Sequence, residues 1–153
     1  MDRNNVLLLV AAALLLGGGG YGVYTMTRGL RNNNPGNIID DGTDWEGLDT
    51  PRNDGQFLRF LTPEYGFRAM RIIVNNYVSK DGVPSTVAGI ISRWSATDQA
   101  AYVANVSSEL GVDPNAPIDL TSSMLGLARG ITRQENGLNP YSDQTIINGL
   151  NLA

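Results

Sequence analysis

Arg28-Gly29-Leu30-Arg31-Asn32-Asn33-Asn34-Pro35-Gly36-Asn37-Ile38 is the stretch on which the reading of this chain turns. Three consecutive asparagines and then Pro-Gly do not pack as core, yet they pin a loop and its side-chain amides in one geometry. A linker is the simpler role for such a composition. The downstream residues argue against it: an Ile38-Ile39 step, an acidic turn, and then Trp45-Glu46-Gly47-Leu48 together predict a short β-hairpin or a pair of strands.

Upstream, Val6 to Met26 carry no charged residue, and Val6 to Leu16 are continuously apolar. With Gly17 to Gly20 and Tyr21-Gly22-Val23-Tyr24 added, the segment reaches the roughly 20 residues that span a bilayer. This predicts one transmembrane helix, an anchor over residues 1–27, ahead of a single domain over residues 28–153. A cleaved signal peptide is the alternative, since Arg3 provides a positive start and the apolar run before the glycines has signal-peptide length. No A-x-A type site comes after that run, and the tyrosines stand where an interfacial belt would be, so the anchor is preferred. Charge on the two flanks does not fix an orientation.

Downstream, Thr62-Pro63-Glu64 reads as a helix start, with Phe67, Met70, Ile73, Val74 and Tyr77 recurring at helical spacing until Asp81-Gly82. A second helix is expected from Ser85 or Thr86, with Val87, Ile90, Ile91 and Trp94 on one face. A third runs from about Asp98 to Leu110, capped by Thr97 and ended by Gly111. Thr121 is the expected cap of a fourth, which runs through Glu135, and Ser142 or Asp143 starts a last short one. The domain is therefore expected to be α+β and mostly helical, with a small β-hairpin near its start.

The chain contains no cysteine and no histidine. Thiolate nucleophiles, Ser-His-Asp triads and histidine-ligated zinc are thereby excluded, and no metal or other cofactor is implied. Chemistry, where there is any, runs on carboxylates, hydroxyls, amides or basic side chains. The net charge of -4 argues against nucleic acid as a partner.

Of the four glutamates, Glu64 fits a helix first turn and Glu109 a solvated face near a helix end, and Glu46 lies in the hairpin region. Glu135 differs. Leu127 and Ile131 precede it at i-8 and i-4, with Met124 and Ala128 on the same face, so the spacing directs it toward the core side. Asn136-Gly137 after it reads as a helix C-terminus. Partial burial and the negative end of the helix dipole both disfavour ionisation, which suits a general acid at neutral pH. A glutamate hydrogen-bonded to a neighbouring helix, or balanced by Arg129 or Arg133, is the non-catalytic reading of the same spacing.

The 28–38 stretch, Trp45-Glu46-Gly47-Leu48, Phe57 to Phe60, Pro63 to Ala69, Arg93-Trp94, Glu135-Asn136-Gly137 and Pro140-Tyr141 together resemble a family of phage and prophage virion proteins regarded as lysozyme-like, in the lytic transglycosylase sense. The resemblance covers about residues 28 to 153, and an N-terminal membrane segment would suit a phage whose virion contains a lipid membrane. A second similarity is to bacterial cell-wall glucosaminidases, through Glu135-Asn136-Gly137, Asn33 to Ile38, and Trp94-Ser95-Ala96-Thr97-Asp98 with Tyr102. There the glutamate comes first, so this chain would be a circular permutation of that pattern.

The resemblance implies a membrane-anchored, virion-associated protein, single-pass in the virion or host inner membrane, with other virion proteins as partners. It would cleave peptidoglycan glycan strands in the host periplasm during genome entry. As a lytic transglycosylase it would need one acid, Glu135. Asn33, Asn34 and Tyr102 would orient substrate, and Trp45 and Trp94 would stack on sugar rings or else pack as core. A hydrolase would draw a second carboxylate from Asp40, Asp41, Asp44 or Glu46. The alternative is a non-catalytic virion structural or wall-binding protein with a lysozyme-like fold.

Overall fold

Phe67, Met70 and Val74 lie on one face of a helix that begins at Pro63, and all three are completely buried. In the computed structural model, which describes residues 26–153, that helix is the fourth element of a chain ordered α1 (Arg28–Arg31), β1 (Leu48–Asn53), β2 (Leu58–Phe60), α2 (Pro63–Ser79), α3 (Val87–Trp94), α4 (Gln99–Leu110), α5 (Leu120–Asn136) and α6 (Asp143–Leu150). The α+β, mostly helical expectation holds for this architecture. The expected transmembrane helix does not: among the described residues no helix is long and apolar enough to cross a membrane. The segment assigned to it, Val6 to Met26, lies outside the described residues apart from Met26.

The main core is helical. Helix α2 lies against α6, and α4 against α5. Val87, Ile90 and Ile91 of α3, Tyr102 and Val106 of α4, Met124, Leu127, Ala128 and Ile131 of α5, and Ile146 of α6 close on α2. A second, smaller cluster of Ile38, Leu58, Phe60 and Ala69 sits under the sheet, with Trp45, Leu48, Tyr65, Ile73 and Trp94 packed around it.

The sheet is an antiparallel pair that matches Leu48 with Phe60 and Asn53 with Leu58, with an irregularity between. It forms one segment later than the sequence suggested. Ile39 contributes only an isolated bridge to Phe57, and Glu46 and Gly47 are the turn into β1. The reason is that the asparagine loop itself occupies the other edge of β2. Leu58 N–H donates to the Ile38 carbonyl and Phe60 N–H to that of Asn32, each at 2.9 Å.

Local signals set the helix ends. Thr86 caps α3 by accepting from Gly89 N–H at 3.0 Å, and Ser142 caps α6 by accepting from Thr145 N–H at 3.1 Å. Gly111 and Gly137 end α4 and α5 in the left-handed conformation. Two expected caps move by one residue or more. Asp119, not Thr121, caps α5 by accepting from Ser122 N–H at 2.9 Å. Asp98, at φ 48°, precedes α4 without a side-chain cap bond, while Thr97 N–H is tied to the Ser95 hydroxyl.

Candidate active site

Helix α5 carries Met124, Leu127, Ala128 and Ile131 into the core, and the same face delivers Glu135 one turn later, half-buried against α4 and the asparagine loop. Its two carboxylate oxygens are held separately. Tyr102 of α4, 3% exposed, donates its hydroxyl to Oε1 at 2.9 Å. Asn37 donates Nδ2 to Oε2 at 3.1 Å and to the Glu135 backbone carbonyl at 3.3 Å.

Burial pushes the Glu135 carboxyl above the ordinary glutamate range, and the Asn37 amide, the Tyr102 hydroxyl and the Trp94 indole pull it part of the way back. Tyr102 is driven well above the usual tyrosine value by burial, then by the facing Glu135 charge, then by the hydrogen bond between them. The phenol therefore keeps its proton and remains a donor throughout the physiological range. Among the described residues, no second carboxylate is one of the groups acting on Glu135. The arginines of α5 are engaged elsewhere, Arg133 with Glu109 at 3.1 Å and Arg129 with Asp143.

The candidate second carboxylates have partners of their own or face solvent. Glu46 is paired with Arg68 at 3.1 Å, and Asp44 is exposed. Asp40 accepts from Arg52 Nε at 2.8 Å and from Asn53 Nδ2 at 2.5 Å, and these two bonds hold its pKa down at about 2. Asp41 accepts from Thr43 N–H at 3.0 Å and is likewise held below the usual carboxylate range.

The loop asparagines divide their labour in a way that composition does not reveal. Asn34 is completely buried; its Nδ2 donates to the Ile38 and Leu58 carbonyls and its Oδ1 accepts from Ile38 N–H. Asn33 donates to the Phe60 and Leu61 carbonyls. Both amides are thus engaged in holding the loop on β2, and neither is hydrogen-bonded to Glu135. Trp45 packs on the small core, and Trp94 does the same while lying on Gly36, where an added Cβ would be 2.7 Å from its ring. Trp94, Tyr102 and Glu135 are the sequence candidates that converge.

Asn37, assigned no role from sequence, joins them. Its signal was present: an asparagine after Pro-Gly tolerates positive φ, and Asn37 adopts φ 48°. Behind it, buried Asn136 donates to the Pro35 and Thr132 carbonyls and accepts from the Thr27 hydroxyl at 2.6 Å, tying the loop to the end of α5. Gly29 is required at this junction, because a Cβ there would lie 2.5 Å from both Asn37 Oδ1 and Asn136 Oδ1.

An open groove of about 310 Å³ runs along the α4–α5 seam, lined by Asn105, Ser108, Glu109, Gly130, Arg133 and Gln134. Among the described residues, no three of the acidic, histidine or cysteine side chains gather as metal ligands.

The chain is 35% identical over 133 residues to protein P5 of Pseudoalteromonas phage PM2, a match that spans 83% of this chain and 82% of that protein. This fits the phage affiliation expected from the motifs. No protein-family model matches the chain, so the lysozyme-like part of the resemblance rests on the motifs alone.

Proposed function

The chain belongs to the family of protein P5 of phage PM2, and on that premise we propose that it is a virion-associated protein whose folded region cleaves the glycan strands of host peptidoglycan as a lytic transglycosylase. The observation that carries the proposal is the half-buried Glu135 carboxyl held between Tyr102 and Asn37. A carboxyl raised by burial stays protonated closer to neutrality, so it can protonate the glycosidic oxygen as the bond to the anomeric carbon breaks. The resulting carboxylate is met by two donors already in place. It then takes the proton from the sugar's own C6 hydroxyl, whose oxygen closes on the anomeric carbon to give a 1,6-anhydro end.

This route consumes no water and needs no second acid. The separate engagement of Glu46 and Asp40 with arginines supports it over a two-carboxylate hydrolase. A second reading, a non-catalytic virion structural or wall-binding protein, is favoured by the loop asparagines, whose amides are taken up by the backbone.

The deciding experiment is digestion of purified sacculi by the full chain, with products separated by mass spectrometry. Anhydromuramic ends are expected. Reducing ends, heavier by one water, would move the assignment to a hydrolase, and no release between about pH 4 and 8, the span over which a raised glutamate titrates, would leave the structural reading.

A further inference from the structure

Asn37 Oδ1 is buried and has no hydrogen-bond partner among the described residues, although the Nδ2 of the same amide is engaged with Glu135. An orphaned buried acceptor is costly. Its surroundings are acceptors too. Asn37 Oδ1 and Asn136 Oδ1 both lie 2.5 Å, and the Asn34 carbonyl 2.9 Å, from the point that a Gly29 Cβ would occupy. The observed amide orientation thus leaves the oxygen unpaired at the Gly29 junction and turns the NH₂ toward Glu135, whose Oε2 it serves best while the carboxyl is ionised.

The opposite orientation has the complementary merit. An Asn side chain is nearly symmetric in shape, so turning it over about Cβ–Cγ needs no extra space. Oδ1 would then face Glu135 Oε2 as an acceptor, and Nδ2 would point to the Gly29 junction, where Asn136 Oδ1 and the Asn34 carbonyl also lie. That arrangement gives the Oε2 proton an acceptor when Glu135 is protonated, and gives up the longer 3.3 Å bond from Asn37 Nδ2 to the Glu135 backbone carbonyl.

We propose that Asn37 is a two-state positioning residue for Glu135: its amide donates to Oε2 of the carboxylate and turns over to accept from Oε2 of the carboxylic acid. Its catalytic use rests on the general-acid role proposed for Glu135. In the resting acid Asn37 Oδ1 holds the Oε2 proton; as that proton passes to the glycosidic oxygen, the amide returns its NH₂ to the carboxylate left behind. Among the described titratable groups on the elements packed around α5, Tyr102 alone faces this carboxyl. Glu109 of α4 and Asp143 of α6 are held by Arg133 and Arg129, and Arg28 of α1 is held by Asp54. On α2, Arg68 and Arg71 face C-terminal carbonyls, while Glu64 acts on Tyr141.

The test is a pH titration of the full chain by NMR from about pH 4 to 8, tracking the Glu135 side-chain carboxyl carbon and the Asn37 side-chain NH₂ together. Below the Glu135 midpoint the Asn37 NH₂ protons should show a nuclear Overhauser contact to the Gly29 α-protons, and above it that contact should fade with the same midpoint. In Glu135→Gln the contact should not change with pH. A contact pattern that is constant across the Glu135 titration in the wild-type chain, or one that titrates identically in Glu135→Gln, overturns the proposal. Neither readout depends on cleavage. Switching without glycan release would sink only the transglycosylase reading, and release without switching would sink only the role given to Asn37.

Discussion

Tyr102 donates its hydroxyl to Oε1 of Glu135 at 2.9 Å, joining the first turn of α4 to the last turn of α5. The two residues are 33 positions apart in the chain. The bond does two things: it fixes the carboxyl's rotamer, and it favours the ionised form that general-acid chemistry must generate. The loop that carries Asn37 completes the arrangement from the other side.

Glu135→Gln should abolish glycan cleavage, a loss of about 10² to 10⁴ in rate, with the fold retained. Because the folded-state pKa of Glu135 lies above its unfolded value, its ionisation costs stability that rises as pH climbs through that window. The amide escapes this cost. Thermal melts should therefore show the variant more stable than wild type at pH 7, with the advantage shrinking toward pH 4. A folded variant that cleaves at wild-type rate would remove Glu135 from the reaction.

Tyr102→Phe should keep the buried ring and lose only the donor. Since that donor pulls the Glu135 pKa down, the alkaline limb of the pH–rate profile should move to higher pH. The rate should also drop roughly ten- to a hundredfold, the worth of a hydrogen bond to a charged group. An unchanged limb in steady-state assays across pH would mean that the hydroxyl does not sense the carboxyl's charge.

Asn34→Ala should be a folding variant rather than a binding one. It leaves the Ile38 and Leu58 carbonyls and the Ile38 N–H without their side-chain partner at a site with no solvent access. A loss of roughly 2–5 kcal/mol is expected from urea unfolding. Full stability combined with weakened sacculus binding would instead make Asn34 a substrate ligand.

Asp40→Asn should flatten the acid limb of stability. Hydrogen bonds from Arg52 and Asn53 hold the Asp40 pKa at about 2, below the ordinary aspartate value. A depressed folded-state pKa contributes stability that is present above about pH 4 and lost as pH falls toward about 2. Melts between about pH 5 and 2 should show the wild type losing its margin over the variant across that window. Parallel curves would mean that the Arg52 pairing is too solvent-screened to matter.

Much of the fold was written locally. The apolar spacing from Phe67 to Tyr77, the Thr86 and Ser142 caps and the Gly111 and Gly137 stops are interactions among residues within one or two turns, so the sequence carries them openly. The face that buries Met124, Leu127 and Ile131 likewise indicates that Glu135 is directed inward. The cap errors at Thr97 and Thr121 arose where two polar residues compete at one helix start and tertiary packing chooses between them.

The site itself was decided by the tertiary structure. Asn37 reaches Glu135 across a sequence separation of 98 residues, and nothing in the spacing of either residue announces the other. In a run of similar amides, which one holds a strand and which one meets a carboxylate depends on where β2 lies. That placement is set by the burial of Leu58 and Phe60 with Ile38 and Ala69. Hydrophobic burial is non-directional and acts between distant segments, so periodicity alone determined the helices and the inward face of Glu135, while only the closed core selected Tyr102 and Asn37 as its partners.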